Sequence, residues 1–425
     1  MTRLAAIGIF ATVFLMTANL QIYIHSLRIG LYSWHIFLPV IPIQILIALA
    51  LGTWMRIDRA SILFIGWWMT LLVIMGASIL FVDSGARAIS EVSRQFTVAL
   101  MSITFMIVVQ RPALVKSAMY AICCAIILAA GVSVLEFINP DINVITDRVF
   151  EQVAIEGKVQ RPGGLHVNPN ANARVMALGM FVSVFFLPQR FRFIFCLITG
   201  VGIFVTVSRA GISAWAIAMV FVGILGQFGN GKHAVKIFGL VFIVGMASAL
   251  ATGQIPIFLE KTGIDQYMTV DMTERLSGNF FSQDDDSTGA RTRLAQLAIE
   301  KYSEHALFGS GIGSAMNLGD MQLGPHNTLL KIAVELGTLG ALSFIAIIAI
   351  PFYLRSTKAA AFVFLHFYLS MFSDSSLSLP TLAYILPAGT VLLGLLDQKK
   401  RYASRKRRSR RKRKRRVPSA NPSFT

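Results

Sequence analysis

About twelve long apolar runs divide this chain, and they constrain its fold more than any other feature. Each run is close to the roughly 20 residues that an α-helix needs to cross a bilayer. With 55% hydrophobic and 14% charged residues and a mean hydropathy of +0.65, the composition excludes a soluble enzyme. We therefore predict an all-α fold, a polytopic transmembrane helical bundle of about twelve spans. The predicted spans lie near residues 4–25, 34–54, 61–82, 95–110, 114–138, 171–188, 191–208, 210–228, 234–252, 327–352, 359–373 and 379–396.

The basic residues of the short connections predict which way the bundle faces, because cytoplasmic loops carry an excess of Lys and Arg. A cytoplasmic N-terminus gives that side most of these residues, whereas the short outer loops receive little. The cytoplasmic residues would be Arg3, Arg56, Arg59, Arg111, Lys116, Arg190, Arg192, Lys232, Lys236, Arg355 and Lys358, and the outer ones Arg28, Arg87, Arg94 and Arg209. Two longer polar segments, about 139–170 and 253–326, then face outward.

The excess positive charge belongs to the C-terminal tail. Fourteen of the 39 Lys and Arg residues lie between Lys399 and Arg416, so the rest of the chain carries about +4 of the net +18. We predict one transmembrane domain over residues 1–398 and a basic, disordered cytoplasmic tail over 399–425. Its simplest partners are anionic headgroups of membrane lipids. Nucleic acid is not expected as a partner, because the run lacks interleaved aromatic residues and follows a membrane span directly.

The second outer segment carries a predicted helix with a start signal at Ser287 and Thr288. Its apolar residues recur at three- and four-residue spacing, at Leu294, Leu297, Ala298 and Tyr302. Arg291 lies in the predicted first turn, where a cation opposes the helix dipole. Either an anionic ligand or pairing with the run Asp284–Asp286 explains it. We read these aspartates as solvated turn residues, and no metal site is predicted.

Two further candidates lie at the outer ends of predicted spans. Arg209 occupies the short turn VSRAGIS, where it must find an anion, water or a carbonyl partner, or snorkel to the interface. His326 precedes the tenth span in GPHNTLLKIAVELG, where the helix dipole keeps an imidazole neutral and usable as a base. A capping role for His326 is the alternative. Lys331 and Glu335, four residues apart, are expected to form a structural ion pair.

The first outer segment contains KVQRPGGLHVNPNANARVM. Arg161 lies in a Pro-Gly-Gly turn, and Asn168-Pro169-Asn170 indicates a stop followed by a capping residue for the sixth span. We read His166 as a loop residue. The glycine run GSGIGS lacks the Lys and Ser/Thr of a phosphate-binding loop, so nucleotide binding is not predicted from it.

Three of these stretches together resemble the bacterial O-antigen ligase and O-antigen polymerase superfamily of integral membrane glycosyltransferases. The resemblance covers about residues 155–395 and rests on RPGGLHVNPNANA, on VSRAGISAWA, and on TGARTRLAQLAIEKYSEHALFGSGIGS followed by PHNTLLKIAVELGTLG. The last run presents an arginine, a helix, a glycine loop, His-Asn and Glu-x-x-Gly in the family's order. One departure is Ala295, where the family usually has a tryptophan.

The resemblance implies a GT-C-like bundle in the bacterial inner membrane that transfers a glycan from an undecaprenyl-diphosphate-linked donor to a lipid A–core acceptor. The active site would be periplasmic, with both termini cytoplasmic and neither metal nor cofactor required. Arg209 and Arg291 would hold the diphosphate, with Arg161 and Asn327 as further substrate-binding residues. His326 would be the general base on the acceptor hydroxyl, or would only orient the substrate.

Two alternative functions stay open. A polymerase of the same superfamily would use the same donor but add repeat units of O-antigen, capsule or exopolysaccharide to a lipid-linked chain. A secondary transporter or flippase would also fit twelve spans. Transporters usually have two related halves and charged positions near the midplane, whereas this chain shows no internal repeat and its candidate residues gather at one surface.

Overall fold

The computed structural model describes residues 1–20, 39–81, 86–139, 161–166, 168–228, 286–316, 318, 324–373 and 381–397. This part of the chain is helical and contains no strand. Its α-helices are α1 Thr2–Thr17, α2 Val40–Leu51, α3 Arg59–Ser78, α4 Ala86–Val108, α5 Pro112–Ile138, α6 Pro169–Ser183, α7 Gln189–Val205, α8 Arg209–Ile224, α9 Asp286–Glu304, α10 Thr328–Tyr353, α11 Thr357–Ser370 and α12 Leu382–Pro387.

The all-helical fold predicted for a membrane bundle is confirmed, whereas the number of crossings stays a prediction. Eleven of the twelve predicted spans coincide with a described helix, and the ninth, near 234–252, lies outside the described residues. Four described segments are long and apolar enough to cross a bilayer: Arg59–Ser78, Glu91–Val108, Pro112–Ile138 and Thr328–Ile350. The basic tail and most of the two outer segments also lie outside the described residues.

Side-chain caps explain where several helices begin. Asp58, Asn168, Ser208, Asn327 and Ser356 each accept a hydrogen bond from a backbone N–H two or three residues further on. Such caps satisfy donors that have no partner inside the helix. At α6 the cap is Asn168, with Pro169 in the first helical position. The predicted boundary was therefore right, although the capping residue precedes the proline.

Helix α6 lies at the centre of the bundle. Every residue from Asn172 to Ser183 is buried, because α5, α7, α8 and α11 surround this helix. Helix α5 is in turn covered by α1 on another side. Large apolar side chains point away from the core elsewhere, such as Val73, which is 68% exposed. A buried interior with an apolar exterior is the arrangement that a helix bundle needs in lipid.

The glycine run docks on a break in α10. At Gly337 the backbone leaves the helical region, with φ 66° and ψ −166°. The loop supplies the partners that the break exposes: Ser310 donates its N–H to the carbonyl of Val334 at 2.8 Å, and Gly311 donates to that of Glu335 at 3.0 Å. A Cβ at Gly309 would lie 2.5 Å from the Glu335 backbone. The run GSGIGS therefore packs backbone against backbone.

Candidate active site

Four arginines line one pocket at an end of the bundle. Arg161, Arg209 and Arg291, which the sequence singles out, meet there with Arg174. The pocket is open to solvent on one side. The other lining residues are Asn170, Val207, Ala210, Gly211, Leu369 and Phe372. No Asp or Glu of the described residues lines this pocket, so its walls are strongly cationic.

The turn between α7 and α8 places Arg209 at the pocket. Ser208 caps α8 by accepting from the Gly211 N–H at 3.3 Å, so Arg209 is the first helical residue. Just before it, Val207 has a φ of +52°, a conformation that is rare for a β-branched residue and costs free energy. Arg161 donates from Nη1 to the Val207 carbonyl at 3.2 Å. The strained turn is therefore held by a second arginine of the same pocket.

Close packing between α6 and α8 brings Arg209 and Arg174 to the same pocket. Gly211 faces Ala173, and a Cβ at position 211 would overlap the methyl group of that alanine. One residue further along α6, Arg174 is only 4% exposed. The small residues in VSRAGIS are thus explained by the approach of these two helices.

Helix α11 closes the pocket from a third side. Ser213 on α8 and Tyr368 on α11 form a hydrogen bond of 2.7 Å between their hydroxyl groups. Ser213 also donates to the carbonyl of Arg209 at 2.9 Å. The residues that flank Tyr368 on the pocket side, Leu369 and Phe372, form its apolar wall. A pocket with arginines on one side and apolar side chains on another suits a ligand that carries both an anionic group and a lipid chain.

A buried polar network fixes the loop that follows Arg161. The Gly164 N–H donates to Glu136 Oε2 at 2.6 Å, and Asn172 Nδ2 donates to Ser133 Oγ at 2.7 Å. His166 Nδ1 lies 2.8 Å from Asn172 Oδ1. Gly164 has a φ of +55°, and a Cβ there would overlap the Asn172 side chain. The network explains why the motif needs glycine and asparagine at these positions.

His166 lies in the loop before α6, as expected, but it is buried as part of this network. The side chain is 5% exposed, in a short 3₁₀ turn, Gly164–His166. Burial lowers the pKa of His166 to about 4, because a charged imidazole would lose its hydration there. The ring is therefore neutral at physiological pH.

Helix α9 packs against the bundle with its apolar face, and Arg291 on this helix lines the pocket. Leu294 and Ala298 pack against Ala315, Leu318 and Val334, which confirms the predicted apolar face of this helix. Because α9 begins at Asp286, Arg291 lies in the second turn and not in the first. Asp284 and Asp285 lie outside the described residues, so their pairing with this arginine stays a prediction.

His326 and Asn327 flank the pocket without lining it. Asn327 caps α10, since its Oδ1 accepts the Leu330 N–H at 3.1 Å, while its Nδ2 lies 3.6 Å from Met371 Sδ. Thr328 donates its hydroxyl to the Ser373 carbonyl. These contacts tie the start of α10 to the end of α11, next to the wall residue Phe372. His326 itself has a φ of +50° and a half-buried side chain.

Lys331 forms the expected ion pair with Glu335 and a second, closer one with Glu91. Its Nζ lies 2.8 Å from Glu91 Oε1 on α4 and 4.0 Å from Glu335 Oε1 on its own helix. Glu91 also pairs with Arg94. The predicted pair therefore exists only as the longer of two contacts, and the shorter one joins α10 to α4. Sequence reasoning missed Glu91 because pairing between distant segments leaves no local spacing signal.

Arg174 is the pocket residue that sequence reasoning missed. It lies in the apolar run of the sixth predicted span, and a lone cation in such a run is itself a functional signal. Its spacing of four residues from Asn170, which also lines the pocket, places both on one face of α6.

Residues 194–345 match the family model described as O-Antigen ligase. The match includes Arg209, Arg291 and His326, whereas Arg161 and Arg174 precede it. No curated protein sequence matches the chain. The apolar helices and the family match together indicate a membrane protein. The match supports the resemblance seen in the sequence: residues 194–345 are similar to the O-antigen ligase superfamily.

Proposed function

We propose that this protein is an O-antigen ligase-like glycosyltransferase. It transfers a glycan from undecaprenyl diphosphate to a lipid A–core acceptor at the periplasmic face of the inner membrane. The family match supports ligase or polymerase chemistry at the level of the superfamily. The observation that carries the proposal is the meeting of four arginines from three separate stretches of the chain in one pocket.

The chemistry of the leaving group accounts for these arginines. When the glycan leaves a polyprenyl diphosphate, negative charge develops on the diphosphate oxygens. A guanidinium group meets such charge with two parallel hydrogen bonds, and preorganised donors of this kind are among the strongest contributors to catalysis. Arg209 and Arg291 hold the diphosphate in this proposal, with Arg161 and Arg174 completing the cationic wall. The reaction proposed here uses neither a metal nor a cofactor.

His326 acts as the general base in the proposed reaction. The acceptor hydroxyl attacks the anomeric carbon with inversion, so a new carbon–oxygen bond forms as the bond to the diphosphate breaks. The hydroxyl proton passes to the imidazole, and the bonding electron pair leaves with the diphosphate. A positioned base contributes on the order of 10²–10⁴ in rate. Asn327, which fixes the start of α10 beside the pocket, keeps His326 in place and contributes to substrate binding.

The position of the pocket favours transfer over transport. Asn170 and Arg209 lie within the first turns of α6 and α8, at one end of the bundle. Transporters place their binding sites near the midplane, between two related halves. A pocket at a helix end suits a reaction at the membrane surface, where a lipid-linked donor and an acceptor can meet.

Purified full-length protein in detergent tests the proposal directly. It would be incubated with undecaprenyl-diphosphate-linked glycan and lipid A–core, with no ion gradient present. We expect ligated product from the wild type and none from Arg209→Ala or His326→Ala. Arg192→Ala is the matched control, because Arg192 bonds to Gln227 at the other end of the bundle. Full activity in both site variants at normal expression would overturn the site assignment.

Deletion of the gene separates ligase from polymerase. Long polymer that remains on its lipid carrier is expected after loss of a ligase. Single attached repeats would instead indicate a polymerase and would contradict the acceptor proposed here.

A further inference from the structure

A second pocket lies at the end of α10 opposite to the arginine site. Its walls are Asp58, Arg59, Ala60, Phe352, Tyr353, Leu354, Arg355 and Leu395. Helix α10 starts at Thr328, beside the arginine site, and ends at Tyr353 in this second pocket. The 26 residues of this helix, interrupted at Gly337, separate the two pockets. The two pockets therefore occupy opposite ends of the bundle and cannot share one ligand headgroup.

Two arginines of this pocket, Arg59 and Arg355, can bind an anion. In the described part of the structure, neither Arg59 nor Arg355 donates a side-chain hydrogen bond. The carboxylate of Asp58 is occupied by its own helix start, because Oδ1 accepts from the Ala60 and Ser61 N–H groups and Oδ2 from the Ser61 hydroxyl. The neighbouring Asp397 is likewise engaged, by Lys358 at 2.7 Å and by Ser356 at 2.7 Å. Within the described residues, the pocket thus has two cations for which no anionic partner is found.

Aromatic residues form the outer edge of the pocket. Phe352 is 64% exposed and Tyr353 is 56% exposed, although both lie at the end of a helix long and apolar enough to cross a bilayer. Aromatic side chains are enriched at this depth because their rings suit the headgroup region. Arg355 has a φ of +49°, which turns the chain back from α10 into α11. A tight turn therefore presents the guanidinium beside the two rings.

We propose that this pocket binds the phosphate of an anionic phospholipid. Arg59 and Arg355 hold the phosphate, and Phe352 and Tyr353 contact the glycerol and the first acyl carbons. The basic run that begins at Lys399, close after Asp397 in the sequence, supports an anionic membrane surface at this end. The inference does not depend on the glycosyltransferase proposal, since it concerns the opposite end of the molecule.

Native mass spectrometry of the full chain tests the inference with three probes. The probes are phosphatidylglycerol, phosphatidylcholine and soluble glycerol phosphate. The site variant is Arg59→Gln with Arg355→Gln. The control variant, Arg56→Gln with Arg190→Gln, removes the same charge from this end but outside the pocket. Both variants retain the basic tail, so binding of lipid to the tail is equal in the comparison.

We expect the tightest phosphatidylglycerol molecule to bind the site variant at least fivefold more weakly, with less than a twofold change in the control. Phosphatidylcholine should bind this site weakly in all proteins. Equal phosphatidylglycerol binding in both variants would overturn the proposal. Binding of glycerol phosphate without phosphatidylglycerol would do so as well, by showing a soluble anion site. Unchanged melting temperatures confirm that both variants are folded.

Discussion

Arg161 and Val207 are 46 residues apart in sequence, and the Arg161 guanidinium donates a hydrogen bond of 3.2 Å to the Val207 carbonyl. This bond joins the first outer segment to the strained turn that precedes Arg209. Arg161 is therefore positioned by the turn that precedes Arg209, and that turn is itself held by Arg161. The pocket is a property of the folded bundle, and no single motif builds it.

Replacement of Arg174 tests whether the arginine missed by sequence reasoning contributes to catalysis. Arg174→Met keeps much of the side-chain volume but removes a guanidinium group from the pocket wall. Because loss of one preorganised donor typically costs 10²–10³ in rate, we expect transfer to fall by about that factor. A transfer assay at saturating acceptor measures it. The matched variant Arg192→Met should retain activity, and equal rates for the two variants would remove Arg174 from the mechanism.

Gly211→Ala should destabilise the protein through the contact between α6 and α8. The added methyl group overlaps the Cβ of Ala173, and overpacking of this kind costs about 1–3 kcal/mol. Thermal unfolding in detergent measures the loss as a lower melting temperature. The control is Gly131→Ala, since a Cβ at position 131 meets nothing within 4 Å. A second substitution, Ala173→Gly, should restore much of the stability, and its failure to do so would argue against this contact.

Substitutions of Glu91 and Lys331 should have strongly coupled effects on stability. Lys331 is 4% exposed, and removal of one partner from a buried pair costs about 3–5 kcal/mol. We expect both Glu91→Gln and Lys331→Met to lower the melting temperature markedly. The double variant should lose less than the sum of the two, because neither charge is then left alone. Additive losses would show that the 2.8 Å contact is not energetically significant.

His166 should make stability fall in mild acid. Its pKa is about 4 in the folded protein and about 6.5 in an unfolded chain. Between these values the unfolded state binds more protons, so stability is fully present above pH 6.5 and declines as the pH falls towards 4. The complete loss is about 3 kcal/mol. Thermal unfolding across this range measures it. His166→Gln should make the decline shallower, whereas His305→Gln, at an exposed position, should have a much smaller effect.

The sequence predicts the helices well and singles out three of the four arginines that line the pocket, because both leave local signals. Apolar runs of spanning length locate the helices, and cations such as Arg209 are conspicuous at the ends of those runs. The contacts between segments are less visible. The pairing of Lys331 with Glu91 joins residues 240 positions apart, so the four-residue spacing predicts only the longer contact, with Glu335. The sequence does not show that the loop residue His166 is buried, because its burial depends on Asn172 and on the loop fixed by Glu136.

The most direct test of the account is the affinity of the protein for undecaprenyl diphosphate, measured without any acceptor. We expect Arg161→Gln, Arg209→Gln and Arg291→Gln each to weaken binding about tenfold, since each loses one charge-assisted contact of about 1.5–3 kcal/mol. Inorganic diphosphate should compete for the same site. Arg192→Gln, at the far end of the bundle, should bind as the wild type does. If the three pocket variants bind as tightly as the wild type, the arginines do not hold the donor and the account is wrong.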